Sequence, residues 1–167
     1  MDFCIICYNS FMNKNAGINA NKLTVAVKKL DERAVLPAYG SAAAAGADLC
    51  ACMEQAVNIL PGQTVFIGTG LAVELPEGYA GLIYARSGLA AKKGLAPANK
   101  VGVIDSDYRG EIIIALHNHS AENALIEPGE RVAQLVITPY FTAVFQETDE
   151  LNSSIRGGGG FGSTGRK

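Results

Sequence analysis

The sequence predicts an all-β domain carrying one short helix, and three observations lead there. The apolar, β-branched runs are short: Leu23–Val27, Ala56–Leu60, Thr64–Ile67, Leu71–Glu74, Tyr79–Tyr84, Glu111–Leu116 and Arg131–Val136, each bounded by Gly, Pro, Asn or Asp. Turn signals at Leu60-Pro61-Gly62, Leu75–Gly78 and Glu127–Gly129 keep a spacing of about 8–12 residues, the rhythm of a sandwich or barrel rather than of βαβ units. Only Ser87-Gly88-Leu89-Ala90-Ala91-Lys92-Lys93 joins a capping serine to helix-forming residues.

Composition bounds the function classes. A chain of 167 residues is one domain long, and 49% apolar with 18% charged residues is a globular composition. The 14 basic and 16 acidic residues give a net charge of −2, so no polyanion-binding tail and no nucleic-acid partner are expected. No apolar run approaches the roughly 20 residues that cross a bilayer, which predicts a soluble protein with no membrane partner. The start, MDFCIICYNSFM, lacks a basic segment before its apolar run and a small-residue cleavage pattern after it. Residues 1–21 read as a poorly ordered extension with Met12 as an alternative start, 22–150 as the β domain, and 151–167, which lack apolar periodicity, as a flexible arm. Ser41–Ala45 is low in complexity but too short for a linker, and no long-period repeat is visible.

The cysteines fall into two close pairs, Cys4/Cys7 and Cys50/Cys52. A disulfide framework is unusual in a domain of this length, which points to a reducing, cytoplasmic setting. With His117 and His119 the pairs suggest zinc, but their spacing departs from the common zinc arrangements. Small buried thiols and half-buried strand histidines are the expectation.

Glycine is the compositional outlier, and its excess sits at the end: six of the 19 glycines lie between Gly157 and Gly165. GFGSTG at 160–165 matches the dinucleotide fingerprint letter for letter, yet only Arg166 and Lys167 follow, where a helix would have to begin. A P-loop fails too, since no Gly-Lys-Ser/Thr follows. The tail nonetheless has phosphate-binding chemistry. Glycine N–H groups approach anions closely, Ser163 and Thr164 add hydroxyls, and Arg156, Arg166 and Lys167 add charge. Phe161 suits stacking on a base. Such an arm either orders over a ligand or a neighbouring subunit, or is a disordered solubilising tail.

Two further segments concentrate chemistry. Gly102-Val103-Ile104-Asp105-Ser106-Asp107-Tyr108-Arg109-Gly110 leads an apolar approach into a carboxylate, placing Asp105 at a strand end or hairpin. On an extended chain Asp105 and Asp107 share a face; a general base with a partner, two metal ligands and two turn formers all remain open. At the helix start, Arg86-Ser87-Gly88 brings a guanidinium, a hydroxyl and unpaired N–H groups together as an anion site.

Taken in order, these segments resemble the trimeric all-β dUTPases, the deoxyuridine triphosphate nucleotidohydrolases. The resemblance spans about Lys22 to Gly165 and rests on AGADLCA at 45–51, ARSGLA at 85–90, NKVGVIDSDYRGE at 99–111, GERVAQL at 129–135 and RGGGGFGSTG at 156–165. It implies a jelly-roll-like distorted β-barrel with one short helix and a flexible Gly-rich C-terminal arm. It also implies hydrolysis of dUTP to dUMP and diphosphate by water attack on the α-phosphorus, keeping uracil out of DNA and supplying dUMP for thymidylate synthesis. Asp105 resembles the carboxylate that orients and activates the water, and Tyr108 the ring packed against the deoxyribose. Asn99 with Gly102, Val103 and Ile104 resembles the uracil-reading edge. Arg86, Ser87, Gly88 and Gln134 resemble the phosphate-chain contacts, while Arg156, Gly162, Ser163 and Thr164 resemble those of the arm, with Phe161 over the uracil. Asp48 resembles the carboxylate that supports Mg2+ through water, the ion being held mainly by substrate phosphates. The family further implies a homotrimer with shared active sites, the arm crossing to a neighbour. Motif one departs modestly, with Ala47 where many relatives carry an aromatic. A dCTP deaminase of the same fold and a non-catalytic nucleotide-sensing trimer are the alternatives.

Overall fold

The computed structural model describes residues 23–160. In chain order it places strands β1 (Ala26–Lys29), β2 (Ala38–Tyr39), β3 (Ala47–Cys50), β4 (Val57–Ile59), β5 (Thr64–Gly68), β6 (Leu71–Glu74) and β7 (Tyr79–Tyr84). Helix α1 (Ser87–Lys93) follows, then β8 (Leu95–Pro97), β9 (Gly102–Ile104), β10 (Ile113–Asn118), β11 (Ala124–Ile126) and β12 (Arg131–Pro139). The all-β expectation with one short helix holds among the described residues.

All pairings are antiparallel and form four sheets: β1-β6, β5-β10-β8, β11-β4 and β2-β3-β12-β7-β9. Their hydrogen bonds do not close a continuous ring, so the barrel is one of packed sheets rather than a single ladder. Alternation decides the faces. On β10, Ile114, Leu116 and Asn118 turn inward while Ile113, Ala115 and His117 face the other way. Leu49, Ile59, Leu71, Leu95, Ile112 and Ile126 make the centre of the core. Its fully buried polar side chains are satisfied. The Thr69 hydroxyl donates to the Ile112 carbonyl at 2.7 Å. Asn118 Nδ2 donates to the Ile59 and Glu122 carbonyls at 2.9 and 2.7 Å.

Several local expectations need correction. The first strand starts at Ala26 rather than Leu23, because its register is set by β6, with Ala26 opposite Glu74. β10 starts at Ile113 rather than Glu111, because the Glu111 carboxylate turns back to accept the Gly70 N–H at 2.7 Å. Four strands, β2, β3, β8 and β11, were not legible as strands; with two to four residues each they are too short to display alternation, whereas β9 is the apolar approach that leads into Asp105. Ser87 is the first helical residue, and Arg86 takes the N-cap place without a side-chain cap bond.

Candidate active site

Two groups of polar residues sit on the same five-stranded sheet. The first surrounds a cavity of about 280 Å³ lined by Asn99, Gly102, Val103, Ile104, Asp105 and Tyr108, all six singled out from sequence. The chain enters through a turn in which the Lys100 N–H reaches the Pro97 carbonyl at 3.1 Å, with Lys100 itself in the left-handed region at φ 65°, an uncommon state for a residue with a Cβ. At Gly102 an added Cβ would lie 3.1 Å from Asn99 Nδ2 and 3.2 Å from Ile83 Cβ, so glycine lets Asn99 pack against the strand. Glu111, Ile113 and Ala115 also line the cavity. None of these three was singled out from sequence, although Glu111 closes motif three and Ile113 and Ala115 follow it closely.

Asp105 stands just past β9 and is exposed. The Tyr108 N–H donates to its carbonyl at 3.2 Å, closing a turn that contains Ser106 and Asp107. The two acids therefore do not share the face of an extended chain, as that reading requires; Asp107 faces a second hollow, which Asp105 also borders. The Tyr108 ring lies over Gly110, where an added Cβ would stand 2.5 Å from Tyr108 Cζ. Its hydroxyl donates to the Glu111 carbonyl at 3.0 Å.

The second group centres on Asp48, whose side chain is only 9% exposed. Oδ1 accepts Arg86 Nε at 2.8 Å and Gln134 Nε2 at 3.3 Å, and Oδ2 accepts an Arg131 guanidinium N–H at 3.0 Å. Asp48 on β3 lies directly opposite Gln134 on β12, which brings motifs one and four together; Arg86 arrives from the end of β7. Arg131 was not singled out from sequence, although it sits inside the GERVAQL segment. Ser87 and Gly88 are exposed beside this cluster. Burial first, and then the Asp48 charge, pushes the Cys50 thiol above its ordinary range.

The sheet register separates the two groups. Asp48, Gln134 and Tyr84 form one row across β3, β12 and β7, whereas on β9 Gly102 faces Ile83 and Ile104 faces Gly81. Three strand spacings across and four residue steps along put Asp105 roughly 20 Å from Asp48 within one chain.

Among the described residues no three His, Cys, Asp or Glu side chains gather as a metal site. Asp48 already takes three donors, two of them cationic, so direct ligation does not suit it; a contact through water to a hard ion carried by phosphate oxygens does. Cys50 and Cys52 are free thiols, neither fully buried. His117, on β10, bonds the Thr64 hydroxyl through Nδ1 at 2.8 Å. Of the arm, Arg156 is described, with Nε donating to the Gly159 carbonyl at 2.8 Å. The expectations for Phe161, Gly162, Ser163 and Thr164, and for residues 1–21, lie outside the described residues.

The family model for dUTPase matches residues 32–165. A deoxyuridine 5'-triphosphate nucleotidohydrolase of Desulfitobacterium hafniense is 50% identical over 149 residues, covering 89% of this chain and 99% of the relative. One from Acinetobacter baumannii is 45% identical over 150 residues, covering 87% and 100%. Among solved structures, the dUTPase of Staphylococcus bacteriophage 80alpha with dUpNHpp superposes with a TM-score of 0.75 at 32% identity, covering 86% of this chain and 99% of that one. A variant dUTPase of phage phi11 of S. aureus, described as coordinating a structural Mg(II) ion, gives a TM-score of 0.68 at 28% identity over 77% of this chain and 98% of its own.

Proposed function

This chain belongs to the dUTPase family, and on that premise we propose that Asp105 is the base with which it hydrolyses dUTP to dUMP and diphosphate. The Asp105 carboxylate accepts a proton from a water molecule, the water oxygen attacks the α-phosphorus, and the bond to the bridging oxygen breaks with diphosphate as leaving group. That role needs a carboxylate held at hydrogen-bond reach of the nucleophile, and its place at the mouth of the Asn99–Tyr108 cavity supports it. The base lies in the cavity, where Asn99 and the backbone of Gly102, Val103 and Ile104 offer donors and acceptors to uracil. A site built to hydrogen-bond one base edge rejects a base with the reversed pattern strongly. Tyr108 packs against the deoxyribose.

Arg86, Ser87, Gly88 and Gln134 bind the phosphate chain, and Arg156, Phe161, Gly162, Ser163 and Thr164 close over it from the arm of residues 151–167. Asp48 would support Mg2+ through water alongside the substrate phosphates, and the ion would supply neutralisation of the triphosphate charge.

The observation that carries the shared-site reading is the sheet register, which sets Asp105 three strands across and four residues along from Asp48, roughly 20 Å by ideal strand geometry. A separation of that size supports a site whose halves meet between subunits of a homotrimer, with base and sugar on one subunit and the phosphate chain on another. Exposed apolar side chains support assembly: Phe66 and Ile113 on one face of the β5–β10 pair, and Phe141, Val144, Phe145, Leu151 and Ile155 along residues 141–155. The setting is cytoplasmic; among the described residues no helix is long and apolar enough to cross a membrane.

Measurement of diphosphate release from dUTP, dTTP, dCTP and UTP, with ammonia followed in parallel for dCTP, tests the activity. Diphosphate from dUTP alone is the expected result; ammonia from dCTP is the result of a deaminase. Asp105→Asn is expected to bind nucleotide and to lose turnover by orders of magnitude, and near-normal turnover removes it from the base role. Removal of residues after Arg156 is expected to abolish efficient hydrolysis without unfolding the domain. A monomer mass for active enzyme contradicts the shared site.

A further inference from the structure

The turn that carries Asp105 has little backbone bonding of its own. One long N–H to carbonyl bond, from Tyr108 to Asp105 at 3.2 Å, closes it, and among the described residues the Ser106 and Tyr108 carbonyls take no backbone donor. Both are instead held by one side chain. Arg109 donates from one terminal guanidinium nitrogen to the Ser106 carbonyl at 2.6 Å and to the Tyr108 carbonyl at 3.0 Å. Its other terminal nitrogen reaches Glu74 Oε1, at the end of β6, at 3.4 Å. Arg109 does not line the cavity beside Tyr108. It borders the second hollow with Glu74, Glu77 and Tyr140, so it grips the turn away from the nucleotide side.

We propose that Arg109 is a positioning residue, bonding the Ser106 and Tyr108 carbonyls and anchoring on Glu74 so that the Asp105 carboxylate stays aimed at the attacking water. The proposal rests on the reading of Asp105 as the base. A planar guanidinium suits the task because its donors are fixed in a fork and its charge is permanent. Displacements of about 1 Å in a catalytic group can cost on the order of a hundredfold in rate. Loss of the brace acts on that displacement rather than on the phosphate contacts, which lie on other elements.

The test is a double-substitution cycle in the full-length protein, with dUTP kinetics referred to the concentration of folded enzyme. Arg109→Gln is expected to lower kcat about tenfold while KM rises less than kcat falls, and Arg109→Lys, which can still donate to the carbonyls, is expected to recover part of the loss. In an Asp105→Asn background, Arg109→Gln is expected to cost nothing further, since residues acting as a unit are non-additive. A wild-type kcat in Arg109→Gln, or a full additional loss in the Asp105→Asn background, overturns the proposal. Near-normal turnover by Asp105→Asn alone overturns the underlying reading instead, so the two failures are told apart.

Discussion

The Nε–H of Arg86 donates to Asp48 Oδ1 at 2.8 Å, tying the segment that leads into α1 to β3. The same carboxylate holds Arg131 at 3.0 Å, so one buried anion sets the attitude of two guanidinium groups that would otherwise repel. Asp48→Ala is expected to destabilise the fold by about 1.5–3 kcal/mol, the range for losing a hydrogen bond to a charged group, and to raise KM for dUTP about tenfold. Asp48→Asn keeps one oxygen acceptor and is expected to cost less in both. Urea unfolding and steady-state kinetics check the pair.

Gly110 is expected to tolerate no side chain without moving Tyr108, because an added Cβ would stand 2.5 Å from Tyr108 Cζ. Gly110→Ala should leave the core folded, with KM for dUTP raised by about an order of magnitude, equivalent to roughly 1.4 kcal/mol of lost binding. Far-UV circular dichroism with dUTP kinetics distinguishes this from unfolding.

Lys93 joins the end of α1 to the approach to β12. Its ammonium donates to Glu130 Oε1 at 2.7 Å and to the Leu125 carbonyl at 2.8 Å, and the other Glu130 oxygen accepts the Glu127 N–H at 3.1 Å. Lys93→Met is expected to cost about 1 kcal/mol, a modest value because both side chains keep some solvent contact. The exchanged pair Lys93→Glu with Glu130→Lys is expected not to restore stability, since the Leu125 carbonyl and the Glu127 N–H each then face a group of the wrong kind. Thermal unfolding of the three variants checks this.

Burial first, and then neighbouring carboxylates, raises the thiols of Cys50 and Cys52 above their ordinary 9.0. The thiolate is the reactive form, so both are expected to alkylate more slowly at pH 8 than in the urea-unfolded chain. The linked effect on stability has a definite sign. Above pH 9 the unfolded chain loses these protons before the folded one does, so it binds fewer protons and stability falls as pH rises. Iodoacetamide labelling with peptide mapping, and urea midpoints of the wild type against Cys50→Ser with Cys52→Ser between pH 8.5 and 10.5, test both statements; the variant is expected to show the shallower decline.

The legible part of this molecule was that in which local chemistry dictates local shape. β6 and β7 matched the sequence reading at both ends, because their apolar runs stop at the Pro76–Gly78 turn. The cavity residues Asn99, Gly102, Val103, Ile104, Asp105 and Tyr108 were legible because they fall within one short motif, which maps directly onto a wall. Arg131 was not, because its role comes from long-range pairing of β3 with β12, and nothing within its own segment announces Asp48. Arg109 was hidden for the opposite reason: it sits inside a recognised motif, yet its bonds run to the backbone of its own turn and to Glu74. The pairing of Asp105 with Asp107 failed as a shared face because the chain bends between them, where alternation no longer applies.

The gap between the two halves on one sheet also bears on what a defective chain does in company. A subunit lacking the Asp105 carboxylate still presents a sound Arg86 cluster, and a subunit lacking Arg86 still presents a sound Asp105. Two chains, each inert when made alone, should therefore regain partial turnover when unfolded and refolded together, in the fraction of assemblies where a sound half of one faces a sound half of the other. On the shared-site proposal, damage in this protein follows pairs of neighbours rather than individual copies.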